Sequence, residues 1–184
     1  MSETVVTLMQ QADEARREKR LADAHAGLTE AVTLCRHAGV RAALVPALTR
    51  LGQIERDLGR GDAARALYEE AVAICRDEGN TLNLAHTVRH LGDIYQDAGH
   101  AELAKPCYVE ALSLYRWDAR TQPLDLANAI RPLAILKEGA GEFDLARRLW
   151  EEARDLYAAV NVSEGVAESS ERIARLVSRQ ESVE

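Results

Sequence analysis

Apolar residues recur along the chain at the spacing of an α-helix, in pairs of runs separated by a glycine. The clearest pair lies between Val88 and Tyr115. Its first run has apolar residues at 88, 91, 94 and 95, and its second at 104, 107, 108, 111, 114 and 115. Each run fits one face of an amphipathic helix. Gly99 lies between them, where a left-handed residue commonly ends a helix. The pattern predicts two antiparallel helices, here called A and B.

This helix pair returns at a nearly constant interval. Gly92 aligns with Gly52 forty residues earlier and with Ala134 forty-two residues later. The large aromatic residue of helix B recurs in the same three copies, as Tyr68, Tyr108 and Trp150. A fainter copy precedes them. Self-similarity at such a period indicates stacked repeats, because one pair cannot bury its apolar face alone. The sequence therefore predicts an all-α solenoid of antiparallel helix pairs.

We expect one domain over residues 1–184, made of about four repeats and a terminal helix. The repeats are expected at about 4–40, 41–80, 81–120 and 121–161, and a capping helix at about 163–180. The B helices are expected at about 21–38, 61–78, 101–117 and 142–159. The last helix is mostly Glu, Arg and Ser, which is typical of an end repeat with one face in water.

The third copy resembles the tetratricopeptide repeat family. Its matching residues are Val88, Leu91-Gly92, Tyr95, Ala104, Tyr108 and Ala111. The period of 40 to 42 residues exceeds the usual 34 and resembles that of kinesin light chains and many bacterial regulatory scaffolds. Other copies depart from the pattern, because Glu55 and Lys137 replace the tyrosine and Ala134 replaces the glycine.

The resemblance implies a right-handed superhelix that acts as a non-enzymatic module or scaffold for protein interactions. It also implies that the A helices line a concave groove and that the B helices form the outer wall. Chaperone-binding members of the family hold a terminal carboxylate with lysine and asparagine at fixed positions. This chain has Gln53, Asp93 and Ile135 near those positions. That carboxylate clamp is therefore not expected here.

The predicted groove consists of the A-helix positions that do not face the packing interface. Counting from Gly52 and Gly92, these residues are Thr49, Arg50, Gln53, Arg56, His86, Arg89, His90, Asp93, Gln96, Asn128, Arg131, Ile135 and Glu138.

Three arginines recur at nearly one position of this groove. Arg89 and Arg131 share a repeat position, and Arg50 lies one residue from it. A row of guanidinium groups favours a ligand that carries carboxylates, because arginine binds carboxylates through two parallel hydrogen bonds. The partner is therefore expected to be a protein or peptide, with an acidic segment as one hypothesis. The alternative is that these arginines pair internally with Glu55, Asp93, Asp97 or Glu138, as surface charges often do.

A second polar pattern lies on the third A helix. His86, His90, Asp93 and Asp97 follow one stripe of that helix. Two histidines four residues apart can share a metal ion, so a metal site at His86 and His90 is a remote alternative. The HExxH pattern is absent, and Asp97 is matched by Asp57, which indicates a repeat feature. Polar groove residues are the favoured interpretation, and a pH-sensitive groove is a further option.

Composition narrows the function further. The net charge of −7 argues against nucleic-acid binding. No run approaches 18 apolar residues and the N-terminus lacks a signal-peptide pattern, so we expect no membrane span and a cytoplasmic location. No nucleophile motif or phosphate loop occurs, so we expect no enzyme activity and no cofactor. The three cysteines, Cys35, Cys75 and Cys107, are expected in the core. Self-association through an end repeat or through the edge of the first A helix is the alternative function.

Overall fold

Helices account for nearly all of the chain. The computed structural model describes residues 3–181, with side chains for residues 3–179. Within that part there are nine α-helices and no strand. They are α1 Glu3–Arg17, α2 Leu21–Ala38, α3 Arg41–Asp57, α4 Gly61–Glu78, α5 Thr81–Asp97, α6 Ala101–Trp117, α7 Pro123–Gly139, α8 Phe143–Ala159 and α9 Ser163–Glu181. The predicted bounds of the first three B helices match α2, α4 and α6.

The helices group into two compact units, which we describe separately. The N-terminal unit is Met1–Ala104 and the C-terminal unit is Lys105–Glu184. The division falls inside α6. The expectation of one domain over the whole chain stays a prediction.

In the N-terminal unit, every helix from α1 to α5 packs on the next one in sequence. Alternate helices also meet, because α3 contacts both α1 and α5. The A helices α1, α3 and α5 therefore form one face of this unit, which we call the A face. The B helices α2 and α4 lie on the other side.

Small residues allow these helices to pack closely around a few large side chains. Ala24, Ala31 and Ala64 are fully buried, and Tyr68 is 1% exposed. A Cβ atom built on Gly52 would lie 2.8 Å from Cε2 of Tyr68. Gly52 therefore leaves the space that the buried tyrosine ring fills, as the repeat pattern predicts.

In the C-terminal unit, α8 packs against both α7 and α9. The core of this unit contains Trp150 of α8, which is fully buried. Around it lie Ala134 of α7, Ala146 of α8 and Leu176 of α9. The terminal helix α9 thus packs on α8, the B helix of the last pair, which is where a capping helix is expected. Two of the three cysteines, Cys35 and Cys75, are buried as expected, and Cys107 is half-buried.

The turn between A and B is built in the same way even where the sequence differs. In the second repeat, Gly59 has φ +74° and the amide of Arg60 donates to the carbonyl of Glu55 at 2.8 Å. In the first repeat, Lys19 takes φ +61° at the glycine position and Arg20 donates to Ala15 at 2.8 Å. The first repeat is thus a full copy, although its turn uses a residue for which this backbone region is unfavourable.

Gly52→Ala is expected to destabilise the protein by about 1–3 kcal/mol, because the new methyl group would overpack the buried ring of Tyr68. The free energy of unfolding, measured in urea, checks this expectation. Gly61→Ala is the matched control: Gly61 is helical, and a Cβ there would meet nothing within 4 Å. Equal stability of the two variants would show that Gly52 is not required for close packing.

Candidate functional site

A cavity of about 280 Å³ opens on the A face of the N-terminal unit. We call it the A-face cavity. Its lining comes from all three A helices and two B helices: Ala12, Asp13, Arg16, Leu28, Thr49, Arg50, Gln53, Ile54, Tyr68, His86 and His90. The structure thus brings together five residues of the predicted groove, namely Thr49, Arg50, Gln53, His86 and His90. The sequence analysis missed Asp13 and Arg16 of α1.

The apolar part of the lining is buried and the polar part is accessible. Leu28, Ile54 and Tyr68 are at most 1% exposed. Burial raises the pKa of the Tyr68 hydroxyl far above its ordinary value, so this group stays protonated. Asp13 and Arg50, by contrast, have side chains that are 40% and 39% exposed. The cavity therefore combines a poorly hydrated floor with a charged, solvent-accessible rim.

Two arginines of the predicted row belong to this unit, and Arg50, with a side chain 39% exposed, is more accessible than Arg89. The Nε of Arg50 donates to Oδ2 of Asp13 at 3.2 Å, and its NH1 group reaches the carbonyl of Pro46 at 3.3 Å. NH1 also lies 3.7 Å from the sulfur of Met9. Its NH2 group makes no hydrogen bond to the described residues. Part of the donor capacity of Arg50 is thus unused.

Arg89, in contrast, is held within the protein. Its side chain is only 15% exposed and NH1 lies 3.2 Å from Oδ2 of Asp93. Its NH2 group donates to Nε2 of His90 at 2.6 Å. Arg89 does not line the A-face cavity. It positions the neighbouring histidine and carboxylate instead.

The two histidines form an aromatic cluster with Tyr68. His90 stacks on the Tyr68 ring with centroids 5.7 Å apart, and His86 meets His90 edge-on at 4.6 Å. Because Nε2 of His90 accepts from Arg89, its proton lies on Nδ1, 3.2 Å from Oδ2 of Asp93. That approach is close enough for attraction but does not have hydrogen-bond geometry.

This environment keeps both histidines neutral near pH 7. Burial lowers the pKa of His90, an effect that Asp93 opposes and that Arg89 and Arg56 strengthen. The pKa of His86 is also lowered, by limited hydration and by the nearby His90 and Arg89. Because His86 lies at the exposed mouth of the cavity, solvent reduces this effect. The option of a groove that titrates near neutrality is therefore not supported.

The histidine pair also offers little for a metal ion. The Nε2 atom of His90 is already engaged by Arg89. Among the described residues, no group of three His, Cys, Asp or Glu side chains could hold a metal. The geometry of the described residues therefore does not favour the alternative of a metal site at His86 and His90.

Charges one repeat apart pair between neighbouring A helices. Arg16 of α1 donates to Asp57 of α3 at 2.6 Å, and Arg56 of α3 donates to Asp97 of α5 at the same distance. Gln53 supports Asp57 with a 3.1 Å hydrogen bond. The match of Asp57 with Asp97 is therefore a repeat feature, as the sequence analysis expected.

The remaining groove residues with side-chain partners lie in the C-terminal unit. Arg131 donates to Glu168 of α9 through Nε at 2.7 Å and NH2 at 2.8 Å, and this pairing lowers the pKa of Glu168. Asn128 accepts from the hydroxyl of Tyr157 at 2.9 Å, and Glu138 pairs with Arg172 of α9. Two further residues of the predicted groove are described by their exposure alone: Gln96, at the end of α5 in the N-terminal unit, is exposed, and Ile135 of α7 is half-buried.

Internal pairing of the arginines occurs, but mostly with other partners than expected. Arg89 uses Asp93, one of the four predicted acids. Arg50 uses Asp13 and Arg131 uses Glu168, and neither acid was predicted. Glu55, another predicted partner, instead lies 2.8 Å from His25. A search for opposite charges separated by about one repeat period would have found the pairs that were missed.

The described helices and their packing define the class of the protein, which is a helical-repeat fold of the kind found in scaffolds for protein interactions. A family model described as "Tetratricopeptide repeat" matches residues 43–116. Residues 43–116 therefore match the tetratricopeptide repeat, and the fold of the chain is similar to that of kinesin-light-chain repeat proteins. Proteins of this family are generally non-enzymatic.

Solved structures share the fold at low sequence identity. A putative kinesin light chain from Podosopora anserina is 16% identical with a TM-score of 0.77, and the match covers 99% of this chain and 90% of that one. BtubC (BKLC) from P. vanneervenii is 19% identical with a TM-score of 0.72, covering 96% and 81%. The prediction of an all-α helical-repeat fold is confirmed.

A third similar structure contains a ligand. It is the Rap conjugation gene regulator of plasmid pLS20 in complex with the Phr* peptide, 16% identical with a TM-score of 0.79. The match covers 99% of this chain and 53% of the Rap chain. No curated protein matches the sequence. None of the described helices is long and apolar enough to cross a membrane.

The depressed pKa of His90 predicts how stability depends on pH. The unfolded histidine takes up a proton below about pH 6.5, whereas burial beside Tyr68 lowers the pKa of the folded one, so that it takes up its proton only at lower pH. The free energy of unfolding should therefore fall as the pH drops from about 7.5 to 5. In His90→Gln this fall should be smaller, because the group that binds the extra proton in the unfolded state is removed.

Denaturant unfolding at a series of pH values checks this expectation. His37→Gln is the control, because His37 is exposed on α2 and away from the cavity. It should lose as much stability as the wild type over the same range. If His90→Gln also keeps the wild-type pH dependence, His90 is not held neutral by the fold.

Proposed function

We propose that this protein is a non-enzymatic interaction module that holds a peptide segment of a partner against its A face. An acidic side chain or a terminal carboxylate of that segment is bound in the A-face cavity, and Arg50 is its principal anchor. The observation that carries the proposal is the accessible guanidinium of Arg50 in a cavity lined by side chains from three successive A helices.

The charges around the cavity favour a carboxylate. Arg16 and Arg50 lie on its rim, while His86 and His90 are neutral. Arginine binds carboxylates with directional, charge-assisted hydrogen bonds. The buried floor of Leu28, Ile54 and Tyr68 limits hydration on one side, which strengthens such contacts.

The size of the cavity favours one side chain of a longer ligand. Its volume of about 280 Å³ lies below the usual range for sites that enclose a whole small molecule. A segment lying across the A face could insert one side chain there while contacting Thr49 and Gln53 of α3. The similar Rap protein in complex with a Phr* peptide supports peptide binding by this fold.

The other predicted groove residues take supporting roles in this proposal. Arg89 positions His90, and Arg131 belongs to the C-terminal unit, where Glu168 already occupies two of its donors. Arg56, Asp93, Gln96, Asn128 and Glu138 stay proposals as part of the partner-binding surface. We extend the proposal to a cytoplasmic location and to the absence of enzyme activity.

Binding of a library of short peptides tests the proposal. The library contains peptides with a central Glu or Asp, their Gln or Asn counterparts, and peptides with a central Lys. The wild type should prefer the acidic peptides. Arg50→Gln should weaken their binding at least about tenfold, because a charge-assisted contact is lost.

Arg36→Gln is the matched control, since it removes the same charge from the B-helix side, where Arg36 pairs with Glu70 of α4. Arg36→Gln should bind the acidic peptides as tightly as the wild type. Both variants should have the helicity and melting curve of the wild type. Equal binding by Arg50→Gln would move the site away from the cavity. If no peptide binds and sedimentation velocity shows a concentration-dependent mass, self-association replaces this proposal.

A further inference from the structure

The Nε and NH2 groups of arginine form the edge that best fits a carboxylate, because they point in parallel at its two oxygens. Arg131 shows this edge fully used. Glu168 accepts from Nε at 2.7 Å and from NH2 at 2.8 Å. This pair shows a carboxylate that uses both donors of the edge.

In Arg50 only one of the two donors of this edge is used. Asp13 accepts from Nε only, at the longer distance of 3.2 Å, and NH2 has no hydrogen-bond partner among the described residues. NH1 is engaged elsewhere, at the carbonyl of Pro46 and the sulfur of Met9. The NH1 group of the guanidinium is therefore engaged by the protein, whereas the edge that binds carboxylates, formed by Nε and NH2, is only half occupied.

Asp13 is also placed where a ligand would meet it. It is the only acidic residue among the described residues that line the A-face cavity. Its side chain is 40% exposed, and it comes from α1, a different helix from that of Arg50. The Asp13 side chain can thus turn into solvent without disturbing the packing of α3.

We infer that Asp13 is a built-in competitor for the ligand's carboxylate at Arg50. This inference rests on the proposed function. In the free protein Asp13 occupies one donor of Arg50, and on binding the ligand's carboxylate displaces it and takes both Nε and NH2. Binding is therefore an exchange of one carboxylate for another. Asp13 lowers the affinity and restricts the site to groups that can use both donors.

A different role for Asp13 makes the opposite prediction. If the Asp13 pair serves to orient Arg50 for the ligand, removing it weakens binding. If it serves as a competitor, removing it strengthens binding. The isosteric variant Asp13→Asn separates the two, because it removes the charge and keeps the size of the side chain.

The probe is the peptide acetyl-Gly-Gly-Glu-Gly-Gly-amide, with the Gln peptide as its neutral counterpart. Binding is followed through the NMR signal of the Arg50 Nε–H group. Asp13→Asn should bind the Glu peptide about two to five times more tightly than the wild type, in line with the small free energy of an exposed ion pair. Affinity for the Gln peptide should not change.

Glu14→Gln is the matched control: it removes one negative charge from the exposed neighbouring position on α1. It should bind the Glu peptide like the wild type. An equal gain in this control would show a general charge effect and overturn the inference. All variants should melt like the wild type.

The outcomes separate this inference from the proposed function. If the Glu peptide binds the wild type, is lost in Arg50→Gln and binds Asp13→Asn no more tightly, the inference is wrong and the proposed function stands. If binding appears only in Asp13→Asn, the competitor role is supported directly. If millimolar peptide shifts the Arg50 signal in neither protein, both proposals fail.

Discussion

The close approach of neighbouring helices is the constraint on which the rest of this structure depends. Helices come near one another because small residues face large ones, as Gly52 faces Tyr68 and as Ala134 and Ala146 surround Trp150. An interior packed this tightly leaves little freedom in how one helix sits against the next. Side chains at equivalent positions of successive A helices are therefore held about one helix spacing apart, and this fixed spacing decides which charges can meet.

That fixed register explains the chemistry of the A face. Arg16 reaches Asp57 and Arg56 reaches Asp97 because each pair is one repeat period apart, shifted by one residue. Arg50 and Asp13 are separated by slightly less than a period, and their contact is longer, at 3.2 Å. The same scaffold thus produces short ion pairs, which belong to the repeat, and a longer pair inside an accessible cavity. Among the described residues of this cavity, the longer pair is the one that the repeat does not explain.

The sequence predicts which helices form and how the repeats align, but it does not predict which charged side chains pair. The positions of Gly52 and Tyr68 placed Thr49, Arg50 and Gln53 on the correct face, because helical periodicity and the repeat determine direction. Asp13 was missed because the first copy is faint and its alignment gave no reason to examine α1. The neutral state of His90 also could not be foreseen, since it depends on Arg89 donating to Nε2 and on burial against Tyr68. The left-handed backbone of Lys19, at the position where later repeats have glycine, is likewise visible only in three dimensions.

The charge of the whole protein restricts the ligand in a way that the cavity alone does not. With a net charge of −7, the surface repels strongly acidic segments at distances up to about a Debye length, near 8 Å at physiological salt. The donors of Arg50 act only at contact, after that repulsion has been overcome. A segment with one carboxylate among neutral or basic residues gains the contact and avoids most of the repulsion, whereas a polyacidic segment gains the same contact at a larger cost. The combination of a net-acidic surface, the accessible guanidinium of Arg50 and a competing aspartate therefore favours an isolated acidic group over a run of them.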